Sequence, residues 1–328
     1  MAVVATGFFD GVHLGHRQVI QTLVSSARER GEEAIVVTFA QHPRAVLQQD
    51  ARTLRLLNSP QEKEALLRSL GVDRVETLPF DRDFARLTAA DYLRTILRDR
   101  LGATLLVLGY DNRLGSDRLT PDLIQPIAES LGLEVIVVPA TLASSAVAPE
   151  NRSHPRLRKR EGPAAEGSGR GPAQPDVFRG ELQNCQVVSS TKIRKSLEEG
   201  RVEDAEAMLG YAYGLRGVVV SGKQLGRKLG FPTANLRLYD PMKLIPARGV
   251  YLTEVEVLGR PWWGMTNVGD IIETNIFDFD EDIYGLDLGI RFRRHLRDMR
   301  NFDSLEALSK QLAADRVACR ELIPSFRA

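Results

Sequence analysis

The first half of the chain alternates short, continuous apolar runs with stretches whose apolar residues recur every three or four positions. Continuous runs are typical of strands buried on both faces, and the wider spacing is typical of amphipathic helices. The alternation therefore predicts a parallel sheet covered by helices, which binds its ligands at the carboxyl ends of the strands. The predicted strands are residues 2–9, 34–39, 73–78, 104–108 and 133–138, and the predicted helices are residues 17–30, 61–70, 89–98 and 121–131.

From about residue 215 the pattern changes to closely spaced apolar runs separated by turn residues, which predicts a small antiparallel barrel or sandwich. Two short helical patterns precede it, over residues 191–209. The predicted strands are residues 217–221, 250–257, 262–268, 273–279 and 286–292, and a closing helix over residues 304–319 presents Leu305, Leu308, Leu312 and Val317 at near-helical spacing. We predict an α/β domain over residues 1–210 and a β domain over residues 211–328.

The composition changes between residues 151 and 180. A cluster of five basic residues is followed by a stretch rich in Gly, Pro, Ala and Ser, which buries little apolar surface and predicts a flexible insertion. The cluster has the charge to contact phosphate or RNA, but a solvated loop is the favoured interpretation. Its basic residues are Arg152, Arg156, Arg158, Lys159 and Arg160.

Length and charge narrow the class of protein. A chain of 328 residues exceeds what one hydrophobic core usually organises, which supports two domains. The 44 Lys and Arg balance 43 Asp and Glu, so the surface as a whole is not built for nucleic acid. No apolar run approaches the roughly 20 residues of a membrane span, and two cysteines are too few for a disulfide framework. We expect a cytoplasmic enzyme; oligomeric state leaves no signal in the sequence.

Residues 7–16, Gly-Phe-Phe-Asp-Gly-Val-His-Leu-Gly-His, lie between the first predicted strand and the first helix. Glycines let the backbone approach a ligand closely, and a helix N-terminus offers unpaired N–H groups to phosphate. His13 and His16 flank Gly15 and can both donate to phosphate oxygens. The segment therefore predicts a phosphate site, with a glycine-rich turn carrying two surface histidines as the simpler alternative.

Three later segments follow strands or open a helix, so that they can converge on the same pocket. His42 follows the second strand, and Asp111 with Asn112 follows a later one, where they can hold ribose or base. Residues 189–194 are Ser-Ser-Thr-Lys-Ile-Arg. They carry more side chains able to donate hydrogen bonds to phosphate than the capping of a helix requires. Ordinary loop or turn roles explain His42 and Asp111 about as well.

A second candidate phosphate site lies at residues 222–235, Gly-Lys-Gln-Leu-Gly-Arg-Lys-Leu-Gly-Phe-Pro-Thr-Ala-Asn. Its glycines free backbone N–H groups and its three basic residues add charge. Thr233 and Asn235 offer neutral oxygen ligands, which suit Mg²⁺ shared with nucleotide phosphates. A phosphoryl acceptor also needs a base, for which Glu273 is the candidate, although a lone acidic residue in a strand is more often a surface position.

Residues 7–16 resemble the H-x-G-H signature of the nucleotidyltransferase superfamily. With the T-F-x-x-H-P, G-x-D and S-S-T-x-I-R elements in this order, the first half resembles the adenylyltransferase module of bifunctional bacterial riboflavin kinase/FAD synthetases. In the second half, G-R-x-x-G-x-P-T-A-N closely resembles the flavokinase signature, and Glu273 ahead of Phe-Asp-Phe matches the family's catalytic base. The resemblance covers nearly the whole chain.

The resemblance implies a Rossmann-like nucleotidyltransferase domain followed by a flavokinase β-barrel with a terminal helix. It implies that riboflavin is phosphorylated to FMN and that FMN is adenylylated to FAD with release of pyrophosphate, both from ATP with Mg²⁺. The implied catalytic residues are Glu273, His13, His16 and Arg194; the metal ligands are Thr233 and Asn235; Arg297 and Phe302 would contact flavin. The implied nucleotide and phosphate contacts are Gly7, Phe8, Asp10, Gly15, His42, Asp111, Ser190, Thr191, Gly222, Lys223, Gly226, Arg227, Gly230 and Pro232.

Three departures from the family pattern bear on the kinase half and the nucleotide pocket. Asn267-Val-Gly269 is followed by Glu273 almost at once, so a flap over the substrates is shortened. The segment Gly-Tyr-Asp-Asn-Arg-Leu-Gly lacks two rings of the family pattern, and Met299 stands where a Glu is common. These departures leave open a single-activity adenylyltransferase whose β domain only binds flavin. Two further alternatives, a nucleic-acid-binding protein and a flavin-using redox enzyme, are less favoured.

Overall fold

The computed structural model describes most of the chain. The basic insertion predicted at 151–180, and the predicted phosphate contacts Lys223 and Arg227, lie outside the described residues. The described residues are 1–42, 46, 55–144, 185–222, 226 and 230–326.

The first half forms a five-stranded, entirely parallel sheet with the strand order β3-β2-β1-β4-β5. Its central strand is β1, in which Val4 pairs with Ile35 on one side and with Leu106 on the other. The strands are β1 (Ala2–Thr6), β2 (Glu33–Phe39), β3 (Arg74–Leu78), β4 (Ala103–Gly109) and β5 (Glu134–Val138). The helices are α1 (Leu14–Arg30), α2 (Pro60–Ser69), α3 (Ala89–Asp91, continuing as a π-helix over Tyr92–Arg100) and α4 (Pro121–Ser130).

Helices cover both faces of this sheet, as the continuous apolar runs predict. On one face Val4 packs in a cluster with Leu93 and Leu97; on the other Val3 packs in a cluster with Ile20. Every residue of β1 is buried because both faces are covered. The α/β fold predicted from the pattern is confirmed.

The first strand is shorter than predicted. β1 ends at Thr6, although the apolar pattern continues to Phe9. The chain turns there because Phe9, Gly11 and Val12 all adopt positive φ, at 54°, 85° and 35°. Gly11 is required at its position, since a Cβ there would lie 2.7 Å from the side chain of Leu57.

A pair of short strands and two helices lie between the sheet and the second half. A short antiparallel pair, β6 (Leu142–Ser144) and β7 (Cys185–Val187), precedes α5 (Ser190–Glu198) and α6 (Val202–Leu209). Leu197 of α5 and Met208 of α6 belong to the same buried cluster as Tyr213 and Phe292 of the second half. Residues on both sides of position 210 therefore share one core.

The second half is a closed barrel of six antiparallel strands, in the order β10-β11-β12-β9-β8-β13. The predicted barrel is confirmed, but the pattern misses β9, a five-residue strand that directly follows a Gly/Pro-rich loop. The strands are β8 (Gly214–Val220), β9 (Ala234–Leu238), β10 (Gly249–Val257), β11 (Arg260–Val268), β12 (Ile272–Ile276) and β13 (Asp287–Arg297).

The closing helix, α7 (Leu305–Leu322), packs on the barrel by a different stripe from the one predicted. Leu312 lies against the cluster that contains Leu252, whereas Leu305 and Val317 are 58% and 57% exposed. The buried stripe instead contains Cys319 and Asp315. Apolar periodicity misses it because one of its central residues is a carboxylate.

Candidate active sites

A cavity of about 330 Å³ lies at the carboxyl ends of β1 and β4 and against the start of α5. It collects five segments that are far apart in sequence. Four of them follow strands of the parallel sheet, whose carboxyl ends meet at one edge, and the fifth is the start of α5. The predicted site residues that line it are Gly7, Phe8, Asp10, His13, Gly15, His16, His42, Asp111, Ser190, Thr191 and Arg194.

The two histidines of this cavity stack on each other. Their ring centroids are 3.6 Å apart with planes at 14°. His13 caps α1, and its Nδ1 accepts a hydrogen bond from the backbone N–H of His16 at 3.2 Å. A neutral His13 therefore carries its proton on Nε2, which is free to act as a donor into the cavity.

Burial keeps both imidazoles uncharged near neutral pH. Burial, assisted by the charge of Arg194, lowers the pKa of His13 to about 4. Burial also holds the pKa of His16 well below its ordinary value, assisted by the nearby His13 and Lys63. The pair can thus donate hydrogen bonds to phosphate without itself changing charge between mildly acidic and alkaline pH.

Arg194 is held at the edge of the cavity by Asp10. The Asp10 carboxylate is 4% exposed and accepts from the backbone N–H groups of Leu57 and Asn58, both of which reach Oδ1, at 2.9 and 3.2 Å. Its Oδ2 pairs with Nη2 of Arg194, whose Nε donates to the carbonyl of Arg55. Because protein groups occupy both oxygens, Asp10 fits the role of positioning Arg194 better than the predicted phosphate contact.

The opposite wall of the cavity is built by the end of β4. Asn112 joins two strand ends, since its Oδ1 accepts from the N–H of Gly109 at 2.8 Å and its Nδ2 donates to the carbonyl of Thr6 at 3.1 Å. Asp111 and Tyr110 are exposed and line the cavity. Asp111 and Asn112 are the two predicted contacts to ribose or base. Because the side chain of Asn112 joins the strand ends, Asp111 is the one that can contact a ligand.

A buried lysine under the glycine turn was not predicted. Nζ of Lys63 donates to the carbonyl of Phe8 at 3.1 Å and to Oγ1 of Thr38 at 2.9 Å, and lies 4.1 Å from the Phe8 ring centroid. Burial lowers its pKa to about 8. Its sequence neighbourhood, Pro-Gln-Glu-Lys-Glu, is typical of a solvated helix face, so no signal in the chain singles it out.

A second group of polar side chains lies on the outer face of the barrel, where β9, β12 and β11 adjoin. Glu273 stands directly opposite Asn235 on one side and Asn267 on the other. With its amide oriented to satisfy both neighbours, Asn235 donates from its nitrogen to Oε1 of Glu273 at 3.0 Å. Its oxygen accepts from the N–H of Gly222 at 3.2 Å.

Two glycines before β9 lie close to this part of the barrel. A Cβ on Gly222 would lie 2.0 Å from the amide of Asn235, and a Cβ on Gly226 would lie 3.2 Å from Oγ1 of Thr233. Thr233 lies just before β9, which begins at Ala234. Of the predicted residues, the structure thus brings Asn235 and Glu273 into contact, and Thr233 lines the neighbouring cavity at the end of the barrel.

Two cavities flank this loop. One, of about 300 Å³, opens at the end of the barrel between Thr233 and the segment from Phe279 to Tyr284. The other, of about 380 Å³, lies between Gly230 and α7, where Arg316 and Arg320 line it. Pro232 borders both, whereas Glu273 and Asn235 line neither.

Comparison with known proteins agrees with this two-site arrangement. The family model for FAD synthetase matches residues 1–148, and that for riboflavin kinase matches residues 209–323. Proteins named bifunctional riboflavin kinase/FMN adenylyltransferase from Listeria monocytogenes and Escherichia coli K12 are both 30% identical. The alignments cover 95% and 97% of this chain, and 90% and 92% of those proteins.

The chain belongs to the bifunctional riboflavin kinase/FMN adenylyltransferase family. A crystal structure described as a macrolide-efflux protein from Streptococcus pneumoniae superposes with a TM-score of 0.78. It is 30% identical and covers 97% of this chain and 93% of its own. Among the helices of the described residues, none is long and apolar enough to cross a membrane.

The connection before Glu273 is short. β11 ends at Val268 and β12 begins at Ile272, with the N–H of Gly269 donating to the carbonyl of Ile271 at 3.2 Å. The shortened flap expected from the sequence is therefore a tight hairpin. Oδ1 of Asn267, beside Glu273, is buried with no hydrogen-bond partner among the described residues.

Arg297 and Phe302, the two predicted flavin contacts, belong to the attachment of α7. Arg297 forms a two-pronged, largely buried ion pair with Asp315, with Nη2 to Oδ2 at 2.7 Å and Nε to Oδ2 at 3.0 Å. Gln311 also donates to Asp315 at 2.8 Å, and the Phe302 ring lies 5.8 Å from the Arg297 guanidinium. The guanidinium of Arg297 is thus already engaged by the protein.

Proposed function

We propose that this chain makes FMN from riboflavin and then FAD from FMN, using ATP in both steps. The observation that supports it most directly is the contact between Glu273 and Asn235, in which the amide nitrogen of Asn235 donates to the carboxylate of Glu273 and fixes a candidate base in the riboflavin kinase half. The histidine-lined cavity in the other half supplies the side chains that donate hydrogen bonds to phosphate in the second step. We propose residues 1–210 and 211–328 as the two domains, and the cytoplasm, where ATP is available, as their location.

In the kinase step, Glu273 takes the proton of the riboflavin 5′-hydroxyl as that oxygen attacks the γ-phosphorus of ATP, and ADP leaves. The residue types fit Mg²⁺: Thr233 and Asn235 carry neutral oxygens, Glu273 carries a carboxylate, and Oδ1 of Asn267 next to Glu273 lacks a partner among the described residues. A Mg²⁺ ion held by Thr233 and Asn235 would neutralise charge on the phosphates of ATP. Among the described residues, no group of three or more His, Cys, Asp or Glu could hold a metal ion on its own.

In the adenylylation step, a phosphate oxygen of FMN attacks the α-phosphorus of ATP and pyrophosphate leaves. Neither reactant needs a protein nucleophile, because the attacking oxygen is already an anion. Neutral His13 and His16 donate to the phosphates, and the guanidinium of Arg194, held by Asp10, faces the charge that moves to pyrophosphate. Fixing two anions side by side is the main work of this site.

Product analysis tests the proposal in one experiment. The protein is incubated with ATP and Mg²⁺ and either riboflavin or FMN, and flavins are separated by chromatography. We expect FMN followed by FAD from riboflavin, and FAD from FMN. FAD from FMN without any FMN from riboflavin would establish instead the single-activity adenylyltransferase with a flavin-binding barrel.

A further inference from the structure

A buried lysine of the kinase half reaches into the other half of the molecule. Lys243 lies between β9 and β10, is 5% exposed, and donates from Nζ to the carbonyl of Leu57 at 2.8 Å. The same Nζ forms an ion pair with Oε2 of Glu62 on α2 and lies 4.9 Å from the ring centroid of Tyr213. No other lysine among the described residues forms an ion pair with a carboxylate of the opposite half.

The segment that Lys243 contacts is held on both sides. On the barrel side, Leu56 exchanges backbone hydrogen bonds with Met242 and Leu244, each at 2.8 Å. On the other side, the next two N–H groups of the segment, those of residues 57 and 58, donate to the carboxylate of Asp10. One short stretch thus connects the kinase half to the group that holds Arg194.

Lys243 also fixes the start of α2. Glu62 accepts from Nζ of Lys243 and from the N–H of Ser59 at 3.0 Å, which completes the capping box of the helix. One residue further on, Lys63 donates to the carbonyl of Phe8 at the cavity. Removing the Lys243 ammonium would leave a buried carbonyl and a half-buried carboxylate without their partner, so the segment would have to move to regain water.

We propose that Lys243 is a positioning residue for adenylyl transfer. Through residues 55–62 it sets the place of Asp10, and through Asp10 that of the Arg194 guanidinium. The inference rests on the proposed adenylylation function and adds that the barrel completes this site from outside its cavity. Displacements of about 1 Å in such a constellation cost up to about 100-fold in rate.

The test compares Lys243→Met with Lys243→Arg in the full chain. For Lys243→Met we expect kcat for FAD formation from FMN to fall about 10- to 100-fold, with KM for FMN changed less than about threefold and riboflavin phosphorylation unchanged. Lys243→Arg, which can still donate to both partners, should recover most of that kcat. Glu62→Ala serves as a second variant, with the same direction of change, if Lys243→Met does not fold.

A double-mutant cycle separates positioning from general stability. If Lys243 acts through Asp10, Lys243→Met should cost little further activity in an Asp10→Asn background. Amide hydrogen exchange gives a readout that needs no activity: residues 55–62 should exchange faster in Lys243→Met, and β1 should not. Equal losses in both activities, full additivity, or unchanged exchange would overturn the proposal, whereas a wild-type protein that makes no FAD from FMN would overturn the proposed function itself.

Discussion

The imidazole of His13 lies flat against that of His16, with centroids 3.6 Å apart, and accepts its backbone N–H. Two stacked rings cannot both be protonated at this distance without repulsion, and burial opposes the charge on each. The structure therefore favours an uncharged pair, which in the proposed adenylylation step donates hydrogen bonds to phosphate.

The neutrality of His13 has a consequence for stability. Its pKa is about 4 in the folded protein and near 6.5 when unfolded, so the unfolded chain binds more protons between these values. The free energy of unfolding should therefore fall as pH drops from about 6.5 to 4, by about 3 kcal/mol from this residue alone. His13→Asn should lose that part of the dependence in urea unfolding measured at pH 7.5 and pH 4.5. An equal difference between variant and wild type at both pH values would contradict the assignment.

The Glu273 carboxylate beside Asn235 predicts a separation of the two activities. Glu273→Gln keeps the size and the hydrogen-bonding oxygen but cannot take a proton, so FMN formation from riboflavin should fall about 100- to 10,000-fold. FAD formation from FMN should remain within about twofold, as followed by chromatography of the flavins. The matched control is Glu256→Gln, on the barrel surface between Arg216 and Arg291, which should leave both rates unchanged. A kinase rate that survives Glu273→Gln would remove Glu273 as the base.

The buried Lys63 predicts that the rate of FAD formation from FMN decreases at alkaline pH. Its pKa is about 8 because it is buried, so its charge beneath the Phe8 carbonyl and near His16 disappears as pH rises through that value. The kcat for FAD formation should fall over pH 7 to 9, since the lost cation no longer stabilises the phosphates. Lys63→Met should be slower at pH 7 and should lack this decrease. Lys310→Met, on exposed α7, is the control and should keep the wild-type profile.

The sequence predicts those parts of the fold and of the sites that leave a pattern or a motif in the chain. The parallel sheet follows from continuous apolar runs, and the meeting of His16, His42, Asp111 and Arg194 follows because neighbouring parallel strands end at one edge. The pairing of Glu273 with Asn235 is expected from motif resemblance alone, since β9 leaves too short a pattern to be recognised.

The buried charged side chains that support the sites cannot be predicted from the sequence. Lys63, Lys243 and Asp315 are 5–6% exposed, although charged side chains of these types are seldom buried. Their partners lie across the tertiary structure, from Lys63 to Phe8, from Lys243 to Glu62 and from Asp315 to Arg297 on another element. No local period encodes a contact of that kind, so only the folded chain reveals which charges are buried.

The ion pair between Arg297 and Asp315 predicts how α7 is held on the barrel. Both side chains are largely buried, so Asp315→Ala should leave an unpaired guanidinium and lower the free energy of unfolding by about 3–5 kcal/mol in urea. Replacing both, as Arg297→Met with Asp315→Leu, should recover most of that loss because no charge then stays buried. The exposed pair Arg248 and Asp270 is the control, where Asp270→Ala should change stability by less than about 1 kcal/mol. If the double variant retains riboflavin phosphorylation, Arg297 acts through the attachment of the helix. If instead the fold is recovered and the KM for riboflavin rises about tenfold or more, Arg297 also contacts flavin, as the family resemblance implies.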